Sequence, residues 1–295
     1  MKVLITGANG QVGYELIRQA ETKGFDYCAF TRAELDITNR DAIEQTFGNC
    51  KPDVLINAAA YTAVDKAEDE PELAFAVNRD GVANLAKTCK VAAIPMIHIS
   101  TDYVFDGTKK EAYTEEDVPN PLGVYGESKL AGEEALREIL PHNIILRTSW
   151  VFSSHGNNFV KTILRLASER EELRVVADQY GCPTSAQVIA EAILLVMPQL
   201  MASTQKSGTY HFCQPEPTNW HGFAEKIVNT ANKFISLTVK KINPITTDEF
   251  PTRAKRPANS ILDTGKFIET FEYSIPLWTD SLFHVTRECV IDIRK

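Results

Sequence analysis

The sequence predicts an α/β fold built on a doubly wound parallel sheet, because short β-branched runs alternate with amphipathic helical stretches. Five runs have the length and composition of strands buried on both faces: Val3–Thr6, Tyr27–Phe30, Val54–Asn57, Met96–Ser100 and Ile144–Ser149. Helical periodicity separates them, over Gln11–Thr22, Arg40–Phe47, Glu72–Val91 and Ser128–Leu140. Strands and helices that alternate at this spacing are joined by right-handed crossovers, which place helices on both faces of one sheet.

The pattern loosens after about residue 150 and indicates a smaller C-terminal α/β lobe. Its predicted strands are Arg174–Val176 and Thr209–Phe212, and its predicted helices are Phe159–Ala167, Ala186–Val196 and Trp220–Asn232. We therefore divide the chain into a first domain, residues 1–152, and a second lobe, residues 153–295. We expect a segment near residues 185–200 to return to the first domain.

The composition is ordinary for a soluble globular protein, with 44% hydrophobic and 24% charged residues. A formal net charge of −8 argues against nucleic acid or an anionic membrane as partner, since both would repel the chain at long range. We expect no signal peptide, because the first strand-like run starts almost at the N-terminal methionine, and no run approaches the roughly 18 apolar residues of a membrane span. The cysteines have no C-x-x-C pair, so we expect a cytoplasmic protein with reduced thiols at Cys28, Cys50, Cys89, Cys182, Cys213 and Cys289.

A glycine-rich segment, TGANGQVG, joins the first strand to the first helix. In that position Gly7 permits a tight turn, Gly10 lets backbone N–H groups approach a pyrophosphate, and Gly13 permits close packing of helix on strand. The N-terminus of the helix adds a field that favours an anion. This context predicts a Rossmann-type dinucleotide-binding domain over residues 1–152 and leaves the second lobe to bind mainly substrate.

The residues after the second strand bear on the choice between NADPH and NADH. Folds that require NAD place an acid there for the ribose hydroxyls, but this chain has Thr31 and Arg32. Arg32 is suited to a 2′-phosphate, and an exposed loop arginine is the alternative interpretation. Asp36 and Ile37 are candidates to border the adenine. After the third strand, the small side chains of Ala58, Ala59 and Ala60 would allow the cofactor to approach the backbone closely, although simple packing explains them equally well.

A catalytic set is indicated by Tyr125-x-x-x-Lys129 together with Thr101 at the end of the fourth strand. Residues four apart share one face of a helix, so the ammonium of Lys129 is expected to lower the phenol pKa from its usual value of about 10. Tyr125 would then deliver a proton to a carbonyl oxygen as a general acid, and the Thr101 hydroxyl would donate to the same oxygen. The tyrosine–lysine spacing alone also fits a solvated helix face, but its order after the glycine loop and Thr101 favours catalysis.

At these motifs the chain resembles the extended short-chain dehydrogenases, in the branch of the dTDP-4-dehydrorhamnose reductases. The resemblance covers nearly the whole length and rests on TGANGQVG, NAAAYTAVDKAE, STDYVFDG, YGESKLAGE, RTSWVF, GNNFVKTIL, DQYGCPT and RPANSILDT. It implies reduction of the 4-keto group of dTDP-4-dehydro-L-rhamnose to dTDP-L-rhamnose by NADPH or NADH, for the synthesis of rhamnose-containing polysaccharides.

The resemblance also implies roles for individual residues. The catalytic trio is Thr101, Tyr125 and Lys129. Together with the glycine loop, the cofactor set is Gly7, Gly10, Gln11, Val12, Gly13, Arg32, Asp36, Ile37, Ala58, Ala59, Ala60, Tyr125 and Lys129. The substrate set is Thr62, Val64, Thr101, Asp102, Tyr103, Trp150, Asn158, Arg256 and Asn259. A core tryptophan and a surface cation are the alternative interpretations of Trp150 and Arg256.

We do not predict a magnesium site. Some members of the family that the chain resembles dimerise through a magnesium ion held by three glutamates. Glu15 and Glu288 fit two of those positions, but Gln187 stands where the middle glutamate is expected. Loss of an anionic ligand weakens a site for a hard cation. Monomer and homodimer both remain open.

Two alternative functions use the same fold. An epimerase or dehydratase of the superfamily would ordinarily carry an acid pair after the catalytic threonine, whereas here Asp102 alone follows Thr101. A non-catalytic dinucleotide-binding regulatory subunit would not need the intact trio. Net oxidation of the cofactor distinguishes the reductase from both.

Overall fold

The computed structural model describes residues 1–293, and its centre is a six-stranded sheet. The strands are β1 (Lys2–Thr6), β2 (Asp26–Phe30), β3 (Val54–Asn57), β4 (Met96–Thr101), β5 (Asn143–Thr148), β6 (Val151–Phe152), β7 (Glu172–Val176), β8 (Tyr180–Gly181), β9 (Thr184–Ser185), β10 (Gly208–His211), β11 (Thr218–Asn219) and β12 (Lys241–Ile245). The order in the main sheet is β10-β5-β4-β3-β1-β2, with every neighbouring pair parallel. The doubly wound α/β prediction is confirmed.

The helices cover both faces of this sheet and build the second half of the chain. They are α1 (Gln11–Lys23), α2 (Arg40–Cys50), α3 (Val64–Ala67), α4 (Pro71–Phe75), α5 (Val82–Ala92), α6 (Val124–Ile139), α7 (Phe159–Glu169), α8 (Ala186–Ala202), α9 (Trp220–Ala231), α10 (Gly265–Phe271) and α11 (Trp278–Ile293). Short 3-10 turns occur at Asp102–Val104, Thr204–Lys206 and Thr247–Glu249. Over the described residues, each helix is too short or too polar to cross a membrane.

Alternate residues of each central strand enter different cores, since successive side chains of a strand point to opposite faces. In β1, Val3 and Ile5 pack on the face covered by α1 and α8, whereas Leu4 packs on the face covered by α2 and α5. Both faces of the sheet are therefore buried, which explains why the strand sequences are continuous apolar runs.

The second half of the chain contributes both to the main sheet and to a separate core. Its strand β10 pairs with β5, and α8 joins the core of the first sheet, so elements beyond residue 152 complete the sheet. A further core lies between α7, α9 and α11 around the parallel pair β7–β12, with Phe223 at its centre. The division at residue 152 stays a prediction.

The predicted helix Glu72–Val91 is interrupted by a π-helical segment, Ala76–Gly81. This wider turn places Asn78 where its amide donates to the Tyr61 carbonyl (3.0 Å) and to Ser128 Oγ (3.0 Å) on α6. A Cβ at Gly132 of α6 would overlap the Asn78 carbonyl oxygen. The π-helical segment thus forms hydrogen bonds to α6 and lies close against it. The apolar periodicity of the sequence could not reveal this departure from regular α-helix.

The expectation of six reduced thiols is wrong at Cys28 and Cys50, which are joined by a disulfide. The packing of α2 on β2 brings their Cα atoms to 6.5 Å, inside the range that a disulfide spans. Their separation of 22 residues gives no local motif, because the contact is tertiary. The cysteines at 89, 182, 213 and 289 are buried and lie outside this disulfide.

Replacement of Gly13 by alanine tests the close contact between α1 and the glycine-rich loop. A Cβ there would overlap the carbonyl of Gly7, so Gly13→Ala should lower the free energy of unfolding by about 1–3 kcal/mol. The control is Gly48→Ala in α2, where a Cβ meets no atom within 4 Å and alanine should stabilise by about 0.5–1 kcal/mol. Urea unfolding measures both, and equal stability of Gly13→Ala and wild type would contradict the packing.

Candidate active site

A cavity of about 1020 Å³ lies along the carboxyl ends of β1, β3 and β4, the edge at which ligands bind in open α/β sheets. It brings together most of the residues singled out in the sequence. They are Gly7, Gly10, Gln11, Val12, Arg32, Asp36, Ile37, Ala58, Ala59, Ala60, Thr62, Val64, Thr101, Asp102, Tyr103, Tyr125, Lys129, Trp150, Asn158 and Arg256. Residues brought together from these separate segments of the chain form one candidate site.

Two predicted residues are not among those that line this cavity. Gly13 sits behind the glycine-rich loop, where it permits close packing. The side chain of Asn259 is bonded within the protein: its amide donates to the carbonyls of Lys109 (2.8 Å) and Glu111 (2.9 Å), and its Oδ1 accepts from Ile261 N–H (3.1 Å). These bonds fix a loop beside the cavity, and a substrate contact at Asn259 stays a prediction.

The glycine-rich loop has the shape of an anion cradle. Gly7 has a φ of +71°, and a Cβ there would lie 2.6 Å from backbone atoms of Ala58 and Ala59. Helix α1 begins directly afterwards, and its N-cap, Gly10, provides no side-chain cap. The first N–H groups of a helix have no intrahelical acceptor, so this end suits a pyrophosphate.

A polar bridge joins the loop to the second half of the chain. Gln11 Oε1 accepts from Asn158 Nδ2 (2.9 Å) and from Ser153 Oγ (3.2 Å). Asn158 also caps α7, since its Oδ1 accepts from the N–H of Lys161 (3.2 Å). Asn158 thus lines the cavity with its side chain already held by protein groups.

Arg32 and Asp36 lie at the same end of the cavity. The Asp36 carboxylate accepts from Thr38 N–H (2.9 Å) and Thr38 Oγ1 (2.8 Å), and the backbone bond is the main reason its pKa is lowered. Arg32 is exposed and adds a smaller electrostatic effect on that pKa. The cation therefore borders the cavity while it remains in solvent.

The three predicted catalytic residues meet where β4 and α6 approach each other. Thr101 Oγ1 donates to Asp102 Oδ1 (3.0 Å) and accepts from the Tyr103 N–H (3.2 Å). Loss of water around the Tyr125 phenol raises its pKa to about 12, with Thr101 acting in the opposite direction. Burial likewise raises the pKa of Asp102 to about 6.

Lys129 is 2% exposed and its ammonium is directed at the sheet. Its Nζ donates to the carbonyl of Ile99 (2.7 Å) and lies 3.5 Å from His98 Nε2. Burial lowers the pKa of Lys129 to about 8, and Glu133 opposes that shift. The expectation that Lys129 lowers the phenol pKa is wrong in this structure, because desolvation of the phenol outweighs other effects.

An aromatic wall closes the far side of the cavity. Trp150 follows β5 with a φ of +47° and stacks on Trp220 of α9, with ring centroids 3.5 Å apart and planes 6° from parallel. Phe159 packs against Trp220 at 4.6 Å, and a Cβ at Gly181 would lie 2.5 Å from the Trp150 indole. These contacts hold Trp150 in an unusual backbone conformation that presents the indole to the cavity.

Arg256 is held at the junction with a second cavity, of about 680 Å³. Its Nη2 and Nη1 donate to the two Asp65 carboxylate oxygens at 2.7 and 3.2 Å, and this pairing lowers the pKa of Asp65. Asp65, Phe159, Trp220 and Arg256 line both cavities, so the two spaces are neighbours.

Several lining residues were missed in the sequence: Asn9, Leu35, Tyr61, Asp65, Val77, Ile99, Ser100, Thr148, Val151, Gly156, Asn157, Phe159 and Trp220. Some had a usable signal, since Asp65 directly follows Val64 and Ser100 precedes Thr101. Trp220 had none, because its place beside Trp150 depends on how α9 packs.

The residues considered for magnesium have other partners. Glu15 pairs with Arg18 (2.7 Å), and Glu288 Oε2 accepts from Ser154 Oγ (2.6 Å). Within residues 1–293, no group of three or more His, Cys, Asp or Glu side chains is arranged to hold a metal.

A parallel sheet, an anion cradle and a threonine, tyrosine and lysine at one edge define the class: a Rossmann-type protein with the site plan of a short-chain dehydrogenase. The chain belongs to the family described as "RmlD substrate binding domain", whose model matches residues 1–291. The resemblance found in the motifs is therefore confirmed.

The chain is similar to named relatives, in sequence and in structure, over nearly its full length. The dTDP-4-dehydrorhamnose reductase of Sinorhizobium fredii is 42% identical over 283 residues, 95% of each chain. The crystal structure of a dTDP-4-dehydrorhamnose reductase from Clostridium acetobutylicum has a TM-score of 0.90 at 39% identity, over 100% of this chain and 99% of that one. That of the Bacillus anthracis reductase in complex with NADP has a TM-score of 0.90 at 38% identity, over 97% and 99%.

The environment of Lys129 predicts an unusual titration. Because burial lowers its pKa to about 8, its amine should lose a proton near pH 8, against about 10.4 for a free lysine. The ¹³Cε shift of Lys129 in protein labelled with [¹³C]lysine, assigned with Lys129→Arg, measures the midpoint. A midpoint above 10 would show that water reaches the ammonium.

Proposed function

We propose that this chain reduces the 4-keto group of dTDP-4-dehydro-L-rhamnose to dTDP-L-rhamnose with NADPH or NADH, in the synthesis of rhamnose-containing polysaccharides. One observation carries the proposal: a single cavity joins the anion cradle of the glycine loop to Thr101, Tyr125 and Lys129. The names of relatives at about 40% identity over the full length support the substrate.

The cradle suits the pyrophosphate of the cofactor, because α1 begins at the loop without a side-chain cap and its first N–H groups have no intrahelical acceptor. When bound, the nicotinamide supplies a hydride to the keto carbon. Gly7, Gly10, Gln11 and Val12 would hold the pyrophosphate end, and the Lys129 ammonium would lie beside the ribose. Asp36, Ile37 and the alanines at 58 to 60 would border the rest of the dinucleotide.

Tyr125 holds the proton that the product needs. With a pKa of about 12 the phenol stays protonated throughout the neutral range, so it can donate its proton to the 4-oxygen as a general acid. The Thr101 hydroxyl, which donates to Asp102 at 3.0 Å, would turn toward the same oxygen and orient it. A protonated tyrosine suits reduction, because reduction of a ketone consumes one proton.

The remaining residues place the nucleotide sugar. Thr62, Val64, Tyr103 and Trp150 would enclose the deoxysugar, with Asp102 and Asn158 nearby. Arg256 at the junction would meet the pyrophosphate, and the second cavity would receive the nucleoside. Asp65 orients the arginine fork, since both carboxylate oxygens accept from it.

We further propose a cytoplasmic enzyme, monomer or homodimer, whose residues 1–152 bind the dinucleotide and whose later residues bind mainly substrate. The net charge of −8 supports the absence of nucleic-acid and membrane partners.

A single assay separates the candidate functions. Purified protein is mixed with NADPH and dTDP-4-dehydro-L-rhamnose, while cofactor absorbance and the sugar are followed together. Equal loss of NADPH and keto sugar is expected. Sugar turnover without cofactor loss would mean an epimerase or dehydratase, and binding without turnover would mean a regulatory protein.

Tyr125→Phe removes the phenol and leaves the ring. General acid catalysis contributes about 10²–10⁴-fold, so kcat should fall by about that factor while NADPH affinity changes little. Steady-state kinetics and fluorescence titration of NADPH measure the two quantities. Retention of most of the wild-type activity would remove Tyr125 from the mechanism.

Arg32→Ala tests the cofactor preference. Wild type should use NADPH at least as well as NADH, and the variant should lose preference by a factor that corresponds to about 1 kcal/mol or less, because the cation is exposed. The ratio of kcat/KM for the two cofactors measures this, with Arg40→Ala, an exposed arginine of α2, as control. Strict NADH dependence of wild type would contradict the role of Arg32.

Arg256→Ala tests the substrate end. A charge-assisted hydrogen bond contributes about 1.5–3 kcal/mol, so KM for the nucleotide sugar should rise roughly ten- to over a hundredfold, more than KM for NADPH. Arg253→Ala, which removes an exposed arginine paired with Asp69, is the matched control. A rise in KM for NADPH alone would place Arg256 at the cofactor.

A further inference from the structure

A buried polar row crosses the sheet at the candidate site, close to the carboxyl ends of three strands. Ser100 of β4, Arg147 of β5 and His211 of β10 are direct neighbours in the sheet. Glu133 of α6 lies over this row with its side chain 0% exposed. Since Glu133 follows Lys129 by four residues, both side chains share one face of the helix.

Both carboxylate oxygens of Glu133 are saturated. Oε1 accepts from Ser100 Oγ at 2.5 Å and from Arg147 Nε at 2.9 Å. Oε2 accepts from Arg147 Nη2 at 2.7 Å and from the half-exposed Arg137 at 3.2 Å. Through these bonds α6 is attached to β4 beside Thr101 and to β5.

A buried ion pair is a weak source of stability, because desolvation of both charges offsets their attraction. Stability therefore does not explain the buried pair of Glu133 and Arg147. Its position next to Lys129 suggests that it acts on that residue. Burial alone would raise the pKa of Glu133, but the hydrogen bonds and charge of Arg147 outweigh burial and hold it below its usual value. Glu133 is thus an anion throughout the neutral range.

The charged and titratable groups of Lys129 and of the row beside it lie on α6, on three strands and in the 3-10 turn after β4. They are Tyr125, Glu133 and Arg137 on α6, His98 on β4, Asp102 in the turn, Arg147 on β5 and His211 on β10. His98 lies 3.5 Å from the Lys129 ammonium, whereas Arg137 and Arg147 donate to Glu133. Burial lowers the pKa of His211 to about 4 and that of His98 well below its usual value, so both are neutral. Glu133 is therefore the permanent anion of this group and pairs with two arginines, whereas Asp102 is a carboxyl with a pKa of about 6.

We propose that Glu133 is a positioning residue: its carboxylate attaches α6 to the sheet and keeps Lys129, one helical turn away, protonated although the ammonium is buried. The proposal deepens the proposed function, because a cationic Lys129 is what the cofactor ribose and the reacting oxygen require. Its direct test, the titration of Lys129, needs no activity at all.

The experiment compares Glu133→Gln, Glu133→Asp and Ser100→Ala by the ¹³Cε titration of Lys129. The amide keeps the shape and removes the charge, so the midpoint should fall by about one pH unit or more, a tenfold change in the protonation constant. Ser100→Ala removes a hydrogen bond and keeps the charge, so its midpoint should stay near that of wild type. Glu133→Asp should restore the midpoint toward wild type. An unchanged midpoint in Glu133→Gln, or an equal fall in Ser100→Ala, would overturn the proposal.

Should Glu133→Gln fail to fold, Arg137→Gln tests the same balance from the solvent side. Removal of this cation should raise the midpoint of Lys129, and a midpoint that falls or stays the same would contradict the electrostatic role. In an active enzyme, the alkaline limb of kcat/KM should move with the midpoint in every variant. If the wild-type protein has no reductase activity but the midpoint of Lys129 still shifts in Glu133→Gln, the role of Glu133 is supported and the proposed function is rejected.

Discussion

The seating of α6 on the sheet edge is the contact from which the properties of the candidate site follow. Two glycines permit it: a Cβ at Gly132 would overlap the Asn78 carbonyl of the π-helical segment, and one at Gly126 would overlap the Tyr103 carbonyl. Asn78 adds a hydrogen bond to Ser128 on the same helix. Without this close approach, Tyr125 and Lys129 would stand away from Thr101 and in contact with water.

Desolvation then decides the charge state of each group at the site. It raises the pKa of Tyr125 to about 12 and that of Asp102 to about 6, and it lowers that of Lys129 to about 8. A single physical cause thus yields a protonated acid and a lysine close to losing its charge at neutral pH. The second of these is unfavourable for a site that handles anionic ligands, and the carboxylate of Glu133 counters it.

The sequence predicted the parts of this molecule whose signals are local. Strands buried on both faces, the glycine loop and the Tyr125–Lys129 spacing were all recognisable because each is written within a few consecutive residues. What depends on tertiary packing was not: the pairing of Cys28 with Cys50, the addition of β10 to the sheet, and the stack of Trp220 on Trp150. Nor could the motif around Asn259 show that its side chain is bonded to two carbonyls of a neighbouring loop.

The central claim is that the two ends of the cavity cooperate, with a hydride delivered from the dinucleotide side to a sugar carbon beside Tyr125. Its most direct test uses NADPH dideuterated at C4 of the nicotinamide, with the product sugar analysed by mass spectrometry and NMR. The account predicts one deuterium at C4 of the deoxysugar for each NADPH oxidised. A product formed without deuterium at that carbon, or with the label returned to the cofactor, would contradict it.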